Sequence, residues 1–315
     1  MNSSASGAAN KQSAGEQSDV GARVMLVVLC LVWGSTWPVL KIALTEVPPL
    51  TLRTLSAAIG AVTLFLICRV MGRSLRIPSA KSALHIVVAS LLNIVAFTVL
   101  SSFAQLSTAT GRVAILAYTM PIWAILFAWL FLGERPRRVQ LVAFILCIVG
   151  LSILIYPLMA HGVPLGLFLA LAVGVCWGAG TVYMKWAHID ADPMGVACWQ
   201  MIVAFVIITL WMFGYDGRLN FDHADIKGYF AFAWSGVIGN GVAYALWFTI
   251  VKRLPAMTAS LGVIGTPVVG VISSIIILGE RPTLPDIIGF ALIFSASACA
   301  LLTRQRTTEE MEVTS

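Results

Sequence analysis

The chain alternates long apolar runs with short polar interruptions, and the runs are similar in length. From the amino terminus they cover 24–44, 49–70, 83–104, 108–131, 139–157, 165–187, 194–215, 227–251, 256–278 and 285–303. Each comes to about the 20 residues that a helix needs to cross the hydrocarbon core of a bilayer. The connections are short, and several carry turn-forming pairs such as Pro48-Pro49, Arg135-Pro136 and Asp192-Pro193. The pattern predicts an all-α integral membrane protein with ten transmembrane helices.

Composition agrees. Hydrophobic residues make up 59% of the 315 and charged residues 11%, against about 25% charged in soluble domains. All fourteen carboxylates lie in the tails or near a predicted helix end. An ionised group at the bilayer centre costs roughly 2.5–3.5 kcal/mol even on insertion scales. With a cytoplasmic amino terminus, fourteen Lys and Arg fall on the cytoplasmic side and five outside, Arg53 lying within the second run. That asymmetry places both termini in the cytoplasm. It also accounts for the net charge of +6 without a nucleic-acid partner. The six cysteines are scattered singly through the apolar runs, which predicts neither a disulfide framework nor a metal site. No cofactor is implied. The polar residues ahead of the first run lack a cleavable-signal pattern and read as a tail.

The polar punctuation repeats. Leu-Gly-Glu-Arg-Pro occurs at 132–136 and again at 278–282, 146 positions apart. Trp33-Gly34 matches Trp177-Gly178, and Lys41 matches Lys185, both at a separation of 144. Asn93 and Phe97 match Asn240 and Tyr244 at 147, and Pro121 matches Pro267 at 146. The first five runs thus correspond to the last five. Because five is odd, the second half enters the membrane from the opposite side, giving the inverted repeat common among secondary transporters. The expected divisions are a disordered cytoplasmic tail 1–22, repeats 23–157 and 158–303, and a carboxyl-terminal tail 304–315.

These residues resemble the EamA-type transporters of the drug/metabolite transporter superfamily. The likeness is carried by "LVWGSTWPVLKIAL" (31–44), "VCWGAGTVYMKWAH" (175–188), the proline-bearing fourth helix of each half and the twin "LGERP". It covers roughly 24–303. It implies a basket of helices, a central cavity between the halves, alternating access, and export of amino acids or related metabolites across a bacterial inner membrane. Other branches carry nucleotide sugars or sugar phosphates. One departure is visible. Such proteins often carry an arginine about seven residues after the proline opening the second helix, where this chain has Ser56, and Arg53 stands one turn earlier.

Candidate functional residues follow from polarity and symmetry. Asn93 and Asn240 lie mid-membrane, where an amide must pair across helices or face a polar cavity. Tyr244 and Trp247, one and two turns after Asn240, share its face, and with Tyr118 and Trp177 they are candidates for a substrate cavity. Trp33 and Trp177 fit close packing better than substrate contact, since Gly174 and Gly178 flank the second site at small-residue spacing. Pro121 and Pro267, read as inside their helices, either kink them statically or let them flex in gating. Lys41 and Lys185 end their helices, where a cation suits the dipole and snorkels to the headgroups, or guides anions at a mouth. Arg53 is deeper and needs a partner, Glu46 being one candidate.

The leading function is a secondary transporter or facilitator for a small organic molecule. It acts in the lipid bilayer, and ten helices are enough to work as a monomer. A membrane-embedded enzyme is the alternative, but the chain has no Gly-x-Ser-x-Gly, His-Glu-x-x-His or Walker loop, and no catalytic residue is assigned. A receptor or scaffold would have little surface in such short loops.

Overall fold

In the computed structural model, residues 3–222, 225–253 and 263–313 are described. No strand occurs among them. Helix α1 spans Ser3–Glu46 and α2 Pro49–Val70. α3 (Ala80–Ser90) and α4 (Ala96–Ser107) are joined by a π-helical turn at Leu91–Val95. α5 (Thr110–Ala117) and α6 (Met120–Leu132) are separated by Tyr118 and Thr119. α7 (Arg138–Ile155), α8 (Leu165–Ala187) and α9 (Pro193–Tyr215) follow. α10 (Ile226–Ala233) and α11 (Ala243–Arg253) flank a second π-helical stretch, Trp234–Val242. α12 (Gly265–Leu278) and α13 (Leu284–Val313) complete the described chain.

Local chemistry sets these boundaries. Pro49 and Pro193 open α2 and α9, where a missing N–H costs nothing and φ is already helical. Asp192 accepts from the Met194 and Gly195 amides at 2.9 and 3.3 Å, and Asp225 caps α10 the same way. Gly133 and Gly279, the glycines of the repeated motif, end α6 and α12 at φ 69° and 68°. This left-handed conformation closes a helix and suits glycine.

Seven of the described helical rods, from Gly21–Glu46 to Pro193–Tyr215, are long and apolar enough to cross a membrane. Gly265–Leu278 and Leu284–Cys299 are shorter apolar helices. The expected run 227–251 is α10, the π stretch and α11, and the start of the run 256–278 lies outside the described residues. One expectation is corrected: α1 is helical from Ser3, and α13 continues to Val313, where tails were expected. Extending an existing helix avoids the nucleation cost that keeps short polar helices unfolded.

The rods pack reciprocally. α1 lies against α12, and α8 against α6. α1 also meets the α10–α11 rod, and α8 meets the α3–α4 rod. α2 contacts the second π stretch as α9 contacts the first, while α2 meets α9 and α7 meets α13. These packing pairs match across the two halves, as expected of a duplicated chain. Glycines allow the closest approaches. A Cβ on Gly174 would lie 2.6 Å from Thr119 Oγ1, and one on Gly178 would lie 2.7 Å from Trp123 Cβ. The small-residue spacing on α8 is therefore a packing face. Large apolar side chains such as Val62, Leu66, Ile148 and Leu210 point outward, as lipid solvation allows.

Candidate functional site: a cavity between the halves

The reciprocal packing leaves a cavity of about 1080 Å³ lined by both halves. Two aromatic clusters form its apolar walls. Trp33 of α1 meets Tyr244 and Trp247 of α11 at centroid distances of 6.1 and 6.2 Å. Trp177 of α8 meets Phe97 of α4 edge-on at 5.1 Å, and Phe97 touches Trp37 at 5.9 Å. Trp33–Tyr244 and Trp177–Phe97 are equivalent pairs under the repeat. Trp33, Trp177 and the Gly178 face thus combine the two readings: α8 packs through its glycines and turns its indole to the cavity. Trp33 is fixed by Nε1–H donation to the Gly239 carbonyl at 3.1 Å.

The paired asparagines both sit within π-helical stretches and both line the cavity. A π turn widens the helix by one residue and loosens the regular backbone pattern, and such turns recur at functional sites. Each amide presses on a glycine of the facing half. A Cβ on Gly180 would lie 2.0 Å from Asn93 Oδ1, and one on Gly60 would lie 2.9 Å from Asn240 Cβ. Asn93 Oδ1 is buried with no hydrogen-bond partner.

Tyr118 lines the cavity at the break between α5 and α6, and its carbonyl accepts from Ser297 Oγ at 2.9 Å. Pro121 and Pro267 also line it, but they occupy the first turns of α6 and α12 rather than helix interiors. That position corrects the reading of a disrupted interior ladder. A proline in the first turn removes an N–H that has no intrahelical acceptor anyway.

Arg53 lines the cavity and is 6% exposed. Its Nε donates to Ser102 Oγ at 2.6 Å and its Nη2 to Ser101 Oγ at 3.1 Å. The expected Glu46 partner is replaced by these hydroxyls, because α4 and not the preceding turn packs beside the guanidinium. Lys185 lines the far end of the cavity and pairs with Glu134, with Arg135 and Arg137 nearby. Lys41 is not among the lining residues. Its ammonium donates to the backbone carbonyl of Gln105, a buried residue in the last turn of α4.

The two ends of the cavity differ. Arg53 stands early in α2, next to residues late in α4, whereas Glu134 follows the far end of the α5–α6 rod. At the Arg53 end the halves are clamped. Glu280 accepts the Thr110 and Gly111 amides of α5 at 2.6 and 2.9 Å, and Arg112 forms a two-pronged pair with Asp286 at 2.7 and 2.9 Å. At the Glu134 end the Lys185–Glu134 pair is half exposed. Among the described residues no His, Cys, Asp and Glu cluster could hold a metal ion.

These features define a multi-pass integral membrane protein of two related halves enclosing a shared cavity. Residues 22–156 and 164–302 each match the model of the EamA-like transporter family, and the chain belongs to that family. It is similar to the "Uncharacterized transporter YoaV" of Bacillus subtilis, 25% identical over 86% of this chain and 94% of that one. It is also similar to the "Probable amino-acid metabolite efflux pump" of Escherichia coli, 23% identical over 86% and 92%. The "Uncharacterized inner membrane transporter YedA" of the same organism is 25% identical over 88% and 89%. A solved structure described as "Crystal structure of protein" shares the fold at TM-score 0.62 and 20% identity, covering 90% of this chain and 99% of that one. The family and these names are those of transporters rather than enzymes.

Proposed function

We propose that the protein is a secondary transporter or facilitator that moves a small organic metabolite, an amino acid or related solute, out across a bacterial inner membrane. Ten spans in two inverted five-helix repeats, with both termini cytoplasmic, would rock about the cavity and open it to each side in turn. The carrying observation is the cavity lined by both halves, clamped at one end and loosely paired at the other. The name of one relative favours export of an amino-acid metabolite, and that of another an inner membrane. The scarcity of carboxylates in the cavity argues against proton exchange with polycationic drugs, which relies on a buried acid.

Counterflow of labelled metabolites in reconstituted vesicles tests the transport reading, and saturable flux for at least one solute is expected. Absence of saturable flux across amino acids, 2-oxo acids and aryl acids would overturn it. Orientation is tested by cysteines placed at Arg137 and Arg281 and reacted with a membrane-impermeant thiol reagent. Labelling from opposite faces is expected, and labelling from one face would exclude the inverted topology.

A further inference from the structure

Resting on the transporter reading, we infer that the solute is a net organic anion, a carboxylate on an apolar or aromatic body without an ammonium group, and that Arg53 holds its carboxylate. Arg53 is a buried cation lining the cavity. The ion pairs among the described residues are Arg73–Asp192, Arg112–Asp286, Lys185–Glu134 and Arg218–Asp222, and none of them includes Arg53. A guanidinium keeps its proton at neutral pH, so it cannot relieve its burial by neutralising, and an unpaired ion in a low-dielectric site calls for a counter-charge.

The two serines orient Arg53 without supplying that charge. Ser101 and Ser102 each donate their hydroxyl proton to the Thr98 carbonyl, at 3.1 and 2.9 Å. Their lone pairs are then left to face Nε and Nη2. The fork is thus fixed on one edge, and Nη1 meets no acceptor among the described residues. Guanidinium and carboxylate planes match in a two-pronged pair, which makes a carboxylate the natural ligand.

The rest of the lining rejects the opposite charge. The described residues around the cavity include four cations, Arg53, Arg135, Arg137 and Lys185, and one carboxylate, Glu134. Glu134 is paired with Lys185 at the far end. An α-amino acid bound at Arg53 would carry its ammonium one carbon from the carboxylate, beside a cation and far from the acid. A 2-oxo, hydroxy or aryl acid has no such conflict. The aromatic clusters around Trp33 and Trp177 supply apolar walls for the body of the molecule, and the positive lining favours entry of anions.

The test compares four probes of one shape in the purified wild-type protein: 3-phenylpropionate, 3-phenylpropionamide, L-phenylalanine and phenethylamine. Thermal stabilisation in detergent reads binding, and vesicle counterflow reads transport. 3-Phenylpropionate is expected to bind at least about tenfold more tightly than the other three. Arg53→Gln should remove that preference and leave the weak binding of the amide intact, which shows that the cavity still forms. A double Ser101→Ala, Ser102→Ala variant should weaken the acid a few-fold without changing the amide. If Arg53→Gln does not fold, an unchanged acid affinity in the serine variant overturns the inference. So does L-phenylalanine binding as tightly as the acid, an acid preference that survives Arg53→Gln, or no stabilisation of the wild type by the acid. Counterflow of L-phenylalanine with no anion preference sinks the anion site and leaves the transporter reading. Arg53-dependent binding of the acid with no counterflow of any probe does the reverse.

Discussion

The two Leu-Gly-Glu-Arg-Pro copies have identical sequences and opposite circumstances. Glu280 is drawn into the other half, where both its oxygens accept the first amides of α5. There the carboxylate also meets the positive end of the α5 dipole. Beside it, Asp286 takes both prongs of Arg112 and the Thr283 amide and hydroxyl. Among the described residues Glu134 pairs with the half-exposed Lys185. The glycines do the same work in both copies, ending a helix, while the glutamates do not. One motif therefore marks both a buried clamp and a half-exposed pair, and the difference between them is tertiary.

The largest effect is expected where the clamp is most buried. The Arg112 and Asp286 side chains are 19% and 5% exposed, and removing one member of such a pair costs about 3–5 kcal/mol because the other charge stays behind. Asp286→Ala should lower the unfolding temperature in detergent markedly and speed impermeant labelling of a cysteine at position 281. An unchanged unfolding temperature would mean that this pair holds nothing together. A smaller and sharper contrast comes from the two glutamates. Glu280→Gln should cost about 1 kcal/mol and reduce hydrogen-exchange protection at Thr110 and Gly111. Glu134→Gln should cost less than about 1 kcal/mol, as exposed pairs do, and its effect should vanish in high salt. Equal effects from the two would erase the distinction between the ends.

Several parts of the site were legible in the chain. Asn93, Asn240 and Tyr244 were found because polar residues at matched offsets in apolar runs must face something other than lipid. Trp177, Trp247, Tyr118, Pro121, Pro267 and Lys185 also reach the cavity wall. Other parts were not legible. Arg53 was recognisable as a deep cation, but its serine partners lie 48 and 49 residues away on another helix. Lys41 and Lys185 are equivalent by offset, yet one meets a backbone carbonyl and the other a carboxylate. Trp33 gave more signal for packing than for the cavity, yet it lines the cavity. The π stretches had no recognisable signal, since an extra residue in a helical turn does not alter hydrophobicity.

By itself the sequence determined the solvent, the helical runs, the duplication and the glycine-ended motif. These follow from local quantities: run length against bilayer thickness, the energy of a charge in hydrocarbon, and the backbone angles glycine allows. Only the tertiary structure decided which charges meet, which end of the cavity is clamped, and that Arg53 faces the cavity without an acid. Those outcomes depend on how each helix is rotated and tilted against its neighbours. In lipid both faces of a rod can be apolar, so packing of small residues sets that rotation rather than an amphipathic pattern written in the chain.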